Sequence, residues 1–174
     1  MIEPTTRSRA ASERMEDLRR LLILDSTPEQ AYDDLTHMAA QVCGAPIALI
    51  ALVDDHRNWF KSRLGLQLEQ TPAEHGFCEA TITEPKKVKI VRDARVDPHF
   101  SGHPLVVGEP YIRFYAAAPL VTSRGIAVGT LCVIDHEPRD LLPEQLTQLS
   151  FMAEQVVSLL ETRATVHARA GTGS

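Results

Sequence analysis

No apolar run in this chain approaches the length of a membrane span, and the first residues are polar, without the apolar core of a secretory signal. Charge of one sign is not concentrated anywhere. Lys and Arg number 18 against 23 Asp and Glu, for a net charge of −5, so both the basic footprint of a nucleic-acid binder and a polybasic membrane patch are missing. The three cysteines, Cys43, Cys78 and Cys132, form an odd count with no CxxC spacing. A reduced, cytoplasmic protein is the expectation, with neither nucleic acid nor membrane as partner. The chain also lacks a phosphate-binding GxxxxGK[ST] loop, a GxSxG nucleophile turn and an HExxH zinc helix.

What remains is ordinary globular material. Its 174 residues are 44% apolar and 24% charged, enough for one domain with a real core. Apolar residues at Met15, Leu18, Leu21 and Leu22 predict an amphipathic helix over Glu13–Leu24. Asp25 to Gln30 reads as a stop and restart, with Thr27 as cap, Pro28 at the first helical position and Gln30 closing a capping box. The second helix then carries Ala31, Leu35, Met38, Ala39 and Val42 on one face and ends at Gly44. PIALIALV, residues 46–53, is apolar at nearly every position, as in a strand covered on both faces. After the turn at Asp54-Asp55-His56, residues 58–64 (NWFKSRL) read as a more polar, edge-like strand. A loop over 65–74, a short helix over 77–83 and a short strand over 88–91 follow.

Residues 92–110 contain Pro98, Gly102, Pro104 and Gly108 and little periodicity. A long loop with helical turns is expected there, and loops of that length inside a compact domain usually carry function. Next comes IRFYAAAPLVTSRGIAVGTLCVID, residues 112–135: two apolar runs around Thr122-Ser123-Arg124-Gly125, which reads as a buried β-hairpin. The last helix is expected over 143–163. Its seam of Leu146, Leu149, Ala153, Val156 and Leu160 covers about two heptads, and Met152, Val157 and Leu159 widen it. That width suits a helix lying on the sheet, a helix in a dimer bundle with the Glu13–Leu24 helix, or both. Residues 1–12 and 166–174 read as flexible tails around a single domain of residues 13–165.

Four stretches in this order, LRRLLILDSTPEQAYDDLTHMAAQVCGAPIALIALVDDHRNWFKS, HGFCEATI, VRDARVDPHFSGHPLV and the hairpin above, resemble the GAF domain, a regulatory fold related to PAS domains. The resemblance spans residues 18–163, and its wording is most similar to GAF domains placed ahead of bacterial sensor histidine kinases and diguanylate cyclases. It implies an α+β fold with a central antiparallel sheet of about five to six strands, the terminal helices on one face, and the short helix and long loop over a pocket on the other. It further implies a non-catalytic sensory module of two-component or cyclase signalling, free-standing or excised. Such a module binds an unknown small molecule, carries no fixed cofactor, forms a homodimer through its terminal helices and acts on a kinase or cyclase. A ligand-free dimerisation scaffold and, behind it, a thiol enzyme similar to the free methionine sulfoxide reductases are the alternatives.

Pocket candidates are Phe77, Cys78 and Thr81 from the short helix, Asp93, Asp97 and Phe100 from the loop, and Arg113 and Tyr115, which share a sheet face at i and i+2. Arg113 suits an anionic ligand group, or a structural pairing with Asp93 or Asp97. Cys78, with His75 nearby and a helix N-terminus beneath it, is the cysteine in a reactive setting; its bland reading is a small packed side chain. Two family chemistries use such a cysteine. Free methionine-(R)-sulfoxide reductases keep their nucleophile just ahead of the hairpin, where this chain reads VVGEPYIRFY without a cysteine. Cys43 is expected on a buried helix face and Cys132 in a central strand, so neither is well placed as a resolving thiol. Bilin attachment is opposed by the lack of a His after Cys78. His99 and His103 with Asp97 have metal-like spacing, but the surrounding Pro and Gly oppose the helix it needs, and Asn58 is followed by Trp59 rather than the Lys of cyclic-nucleotide GAF motifs.

Overall fold

The structure, a computed structural model, describes residues 6–73 and 76–172. Helices α1 (Thr6–Leu21) and α2 (Gln30–Cys43) lead into strands β1 (Ile47–Val53), β2 (Arg57–Leu64) and β3 (Gln70–Pro72). Helix α3 (Phe77–Ile82), strand β4 (Lys89–Val91), a 3-10 turn (Ala94–Val96) and the one-turn helix α4 (Pro104–Val107) follow. The hairpin of β5 (Phe114–Val121) and β6 (Ala127–Asp135) and the long helix α5 (Pro143–Thr172) complete the chain. The six strands form one antiparallel sheet in the order β3-β2-β1-β6-β5-β4. This is the α+β arrangement expected.

Two cores sit on the two faces of the sheet. All seven residues of β1 are buried, and they divide by alternation. Ala48, Ile50 and Leu52 face α1, α2 and α5, whereas Ile47, Leu49, Ala51 and Val53 face α3 and the long loop. In β5, Phe114, Ala116, Ala118 and Leu120 join the helical core, and Tyr115 and Ala117 the other. The β1–β6 pair lies so close that a Cβ on Gly129 would stand 2.0 Å from the Ala51 carbonyl oxygen, so this position takes only glycine.

The seam of α5 faces inward. Leu149, Met152, Ala153, Val156 and Leu160 are almost fully buried against the sheet, and Phe151 is the large apolar side chain near them that points out, 59% exposed. The seam therefore belongs to the domain's own core.

The elements differ from the sequence reading in five places. Helix α1 stops at Leu21 rather than Leu24 because Leu22 adopts a positive φ of 54°. Helix α2 starts at Gln30, so no capping box forms. Glu29 is the extended N-cap residue, its carboxylate is taken by Lys61 and Arg163, and the Gln30 amide reaches Asp34. Gly44 ends α2 as expected, at φ 63° with its N–H on the Ala40 and Gln41 carbonyls. Strand β3 falls within the expected 65–74 loop: three residues paired with Arg57–Trp59 are too short to show a period. Finally, α1 begins at Thr6 and α5 runs to Thr172, so helix enters both stretches read as tails; residues 1–5 and 173–174 lie outside the described residues.

The hairpin turn is tied down by a polar cluster. Thr122 donates its hydroxyl to Asp17 at 2.5 Å, and Asp17 is fully buried. Arg20 bridges Asp17 at 2.7 Å and Glu161 at 2.8 Å, and the Ser123 N–H and hydroxyl both donate to Glu161. One cluster thus joins α1, α5 and the β5–β6 turn.

Candidate functional site

Between the sheet and the α3–α4 segment lies a cavity of about 340 Å³. That volume is at the lower end of the range for small-molecule sites, about 300–1,000 Å³. Ile47, Leu49, Phe60 and Ile134 supply apolar wall from the sheet, and Leu66 and Leu68, Leu105 of α4 and Ile112 ahead of β5 close it. Among the described residues, no Asp, Glu, Lys or Arg lines it. Wider depressions elsewhere, 410 Å³ beside Lys61 and 1070 Å³ between α1 and α3, are more open to solvent and more polar.

Three of the residues singled out from sequence, Phe77, Cys78 and Tyr115, line the cavity. Helix α3 presents the first two because Gly76, its N-cap residue, lets the backbone approach β2: a Cβ there would stand 2.6 Å from Asn58 Nδ2. Two more stand behind the wall. Phe100 stacks on Phe77 with ring centroids 4.2 Å apart and planes 9° from parallel, and Phe77 meets Tyr115 at 4.9 Å. Aromatic pairs of this kind contribute roughly 0.5–1.5 kcal/mol each beyond burial. The Thr81 hydroxyl lies 3.3 Å from the Tyr115 hydroxyl and 3.3 Å from the Phe77 carbonyl oxygen.

The charged candidates are engaged elsewhere. Asp93 caps the 3-10 turn and pairs with Arg95 at 2.9 Å, which holds its carboxyl below the usual range. Asp97 accepts from the His99 N–H. Arg113 donates to the Val106 and Ile112 carbonyls, fastening α4 to the sheet rather than pairing with Asp93 or Asp97 through a hydrogen bond. None of the three lines the cavity. His103 does, but its Nδ1 caps α4 by accepting from the Leu105 N–H, and no group of His, Cys, Asp or Glu among the described residues is arranged to hold a metal.

The thiols need a correction. Cys132, expected to be poorly placed, stands beside Cys78, and both reach the cavity. Cys78 Sγ receives the Cys132 thiol, the Thr130 hydroxyl at 3.4 Å and the Tyr115 hydroxyl at 3.8 Å; these donors lower its pKa against the effect of burial. Giving its proton toward Cys78, and burial, raise Cys132. Burial and the neighbouring thiols raise Tyr115. Cys43 is remote, in the helical core, and burial raises it. His75, read as a neighbour of Cys78, lies outside the described residues.

Asn58 is the site residue that sequence reasoning passed over. It is 2% exposed, lines the cavity, and leaves Oδ1 without a hydrogen-bond partner. The available signal was its i, i+2 relation to Phe60, which puts both on the cavity side of β2.

An antiparallel sheet with helices on one face and a covered, mostly apolar cavity on the other defines an α+β class shared by many sensory domains of differing function. Residues 27–160 match the model of the GAF domain, and the chain belongs to that family. It is 40% identical over 144 residues to a cyclic di-GMP phosphodiesterase of Pseudomonas aeruginosa, covering 82% of this chain but only 24% of that protein. Among solved structures, a domain of a putative two-component sensor histidine kinase from Sinorhizobium meliloti superposes with a TM-score of 0.64 at 18% identity, covering 82% of this chain and 97% of that one. The GAF domain of an Acinetobacter phosphoenolpyruvate-protein phosphotransferase gives 0.64 at 16% identity, covering 97% of each chain. At those identities the two structures speak for the fold alone. Among the described residues no helix is long and apolar enough to cross a membrane.

Proposed function

We propose that this GAF domain is a non-catalytic sensor whose cavity beneath α3 and α4 binds a small molecule. The observation that carries the reading is the cavity itself: about 340 Å³, walled by apolar side chains, with a few convergent polar atoms. Occupancy shifts the balance between two arrangements of the sheet and its covering loops, and the terminal helices carry that shift outward. The partner is a second copy meeting the outer side of α5, or a signalling enzyme such as a histidine kinase, diguanylate cyclase or cyclic di-GMP phosphodiesterase. The relative from Pseudomonas aeruginosa supports the last of these.

Native mass spectrometry of freshly purified protein, compared with the variant Leu49→Phe that fills the cavity, tests the reading. A small mass that leaves on denaturation and is missing from L49F is the expected result. If neither protein retains a small mass, and a small-molecule extract of the host cells leaves both melting temperatures unmoved, the cavity is packing space and the domain is a ligand-free scaffold.

A further inference from the structure

We infer that Cys78 and Cys132 form an oxidation site: hydrogen peroxide turns Cys78 into a sulfenic acid, and Cys132 displaces the oxygen to leave a disulfide that joins α3 to β6. The site goes beyond the reading of the cavity as a ligand site and holds whether or not a ligand occupies it.

Two thiols on separate elements meet here. Cys132 lies in β6 between Leu49 of β1 and Ala117 of β5, with its side chain on the cavity face of the sheet. Thr130, two residues back on the same face, donates its hydroxyl to Cys78 Sγ at 3.4 Å, which places the thiol of α3 over this part of β6. The Cys132 thiol also points to Cys78 Sγ, and the Tyr115 hydroxyl approaches it at 3.8 Å. Both cysteines are free, and both line the cavity. Their exposures suit different parts in the reaction. Cys78 keeps 6% of its surface accessible and meets the oxidant, whereas Cys132, at 0%, needs only to meet Cys78. Hydrogen peroxide is little larger than water and fits a cavity of this size with ease.

The donors to Cys78 favour its thiolate over its thiol, and the thiolate is the nucleophile. Its sulfur attacks one peroxide oxygen. The S–O bond forms as the O–O bond breaks, and the departing hydroxide takes up the proton that Cys78 released and leaves as water. The sulfenic acid is neutral, so the charge that helps to keep Cys132 protonated is gone. Cys132 gives up its proton, its sulfur attacks Cys78 Sγ, and the S–S bond forms as the S–O bond breaks. The second hydroxide leaves as water with that proton. The thiol pair loses two electrons, and one peroxide becomes two waters. Cys43 takes no part, because it is buried in the helical core, across the sheet from both.

Peptide mapping tests this. The full chain, reduced and then treated with hydrogen peroxide at neutral pH, is blocked with N-ethylmaleimide in denaturant and mapped without reduction. The expected product is a covalent monomer two hydrogens lighter, with the Cys78 and Cys132 peptides linked, Cys43 blocked, and the link reversed by dithiothreitol. Cys132→Ser is expected to stop at the sulfenic acid, which dimedone traps on Cys78. Cys78→Ser is expected to slow oxidation of Cys132 about tenfold or more. If wild-type Cys78 stays a thiol, if it passes to the sulfinic acid without a link, if the link runs to Cys43 or to a second chain, or if C132S gives no dimedone adduct at Cys78, the inference is overturned. The wild-type map decides even where a variant fails to fold. A chain with no bound small molecule should give the same map, so failure of the ligand reading leaves this outcome unchanged.

Discussion

At the scale of single residues, the cavity side of the sheet holds two unusual polar arrangements: an amide oxygen with no partner and a thiol with several donors. The second gives a prediction about reactivity. Three hydrogen bonds pull Cys78 down to about 7 although it is buried, while Cys132 and Cys43 are raised. A small neutral reagent that enters the cavity should therefore alkylate Cys78 first and Cys43 last, at a rate rising as pH passes 7. Peptide mapping after brief iodoacetamide treatment at pH 6, 7 and 8 reads the order, and first modification of Cys43 would refute it. The order is partly legible in the sequence. HGFCEATI marks Cys78, but its closest thiol comes from a strand more than fifty residues away, and only the fold brings them together. The same holds for Arg113, whose guanidinium looks like an anion receptor in sequence but directs Nη1 to the Val106 and Ile112 carbonyls.

At the scale of elements, the regular pieces were the readable ones. Strand β1 announced itself by seven consecutive apolar residues, and α2 by its 3.6-residue period and αL glycine. Strand β3 and the start of α2 were not readable because non-local partners decide both: β2 pairs the first, and buried Lys61 takes the carboxylate of Glu29. The hairpin turn has a comparable hidden determinant. Arg20 and Ser123 hold Glu161 at a pKa of about 2, below its ordinary value of 4.5. A carboxylate depressed in the folded state adds stability that is fully present above its unfolded pKa and disappears as pH falls through the folded value. The tie between the turn, α1 and α5 should hold at pH 6 and weaken progressively from about pH 4.5 toward 2. Urea unfolding of wild type and Glu161→Gln tests this. The loss of stability between pH 6 and pH 3 should be smaller in E161Q, and an equal loss in both proteins would remove Glu161 from the account.

At the scale of the whole molecule, a sensor needs a physical link from its cavity to its terminal helices, and β2 offers one. Phe60 lines the cavity, and the next residue, Lys61, is buried on the opposite side with its ammonium on Ser26, the Thr27 carbonyl and Glu29 at 2.5 Å. Glu29 also binds Arg163 of α5 at 3.2 Å, and Arg163 donates to the carbonyls of Leu21 and Leu22 at the end of α1. One chain of contacts thus runs from the cavity wall to the junction of both terminal helices. Contiguity alone does not establish coupling; the warrant is an effect of breaking the chain at a point that touches no ligand. Arg163→Met is such a point. It should cost about 1–2 kcal/mol of stability, from a partly buried set of hydrogen bonds. It should leave affinity for the small molecule recovered by native mass spectrometry within about twofold, because Arg163 does not line the cavity. Hydrogen exchange across residues 155–170 is the decisive readout. The small molecule recovered by native mass spectrometry should slow it in the wild type and leave it unchanged in R163M. Equal slowing in both proteins would mean that the message reaches α5 directly through the sheet, by the packing of Val156 and Leu160 on it, and that the Lys61–Glu29–Arg163 cluster is only a structural clasp.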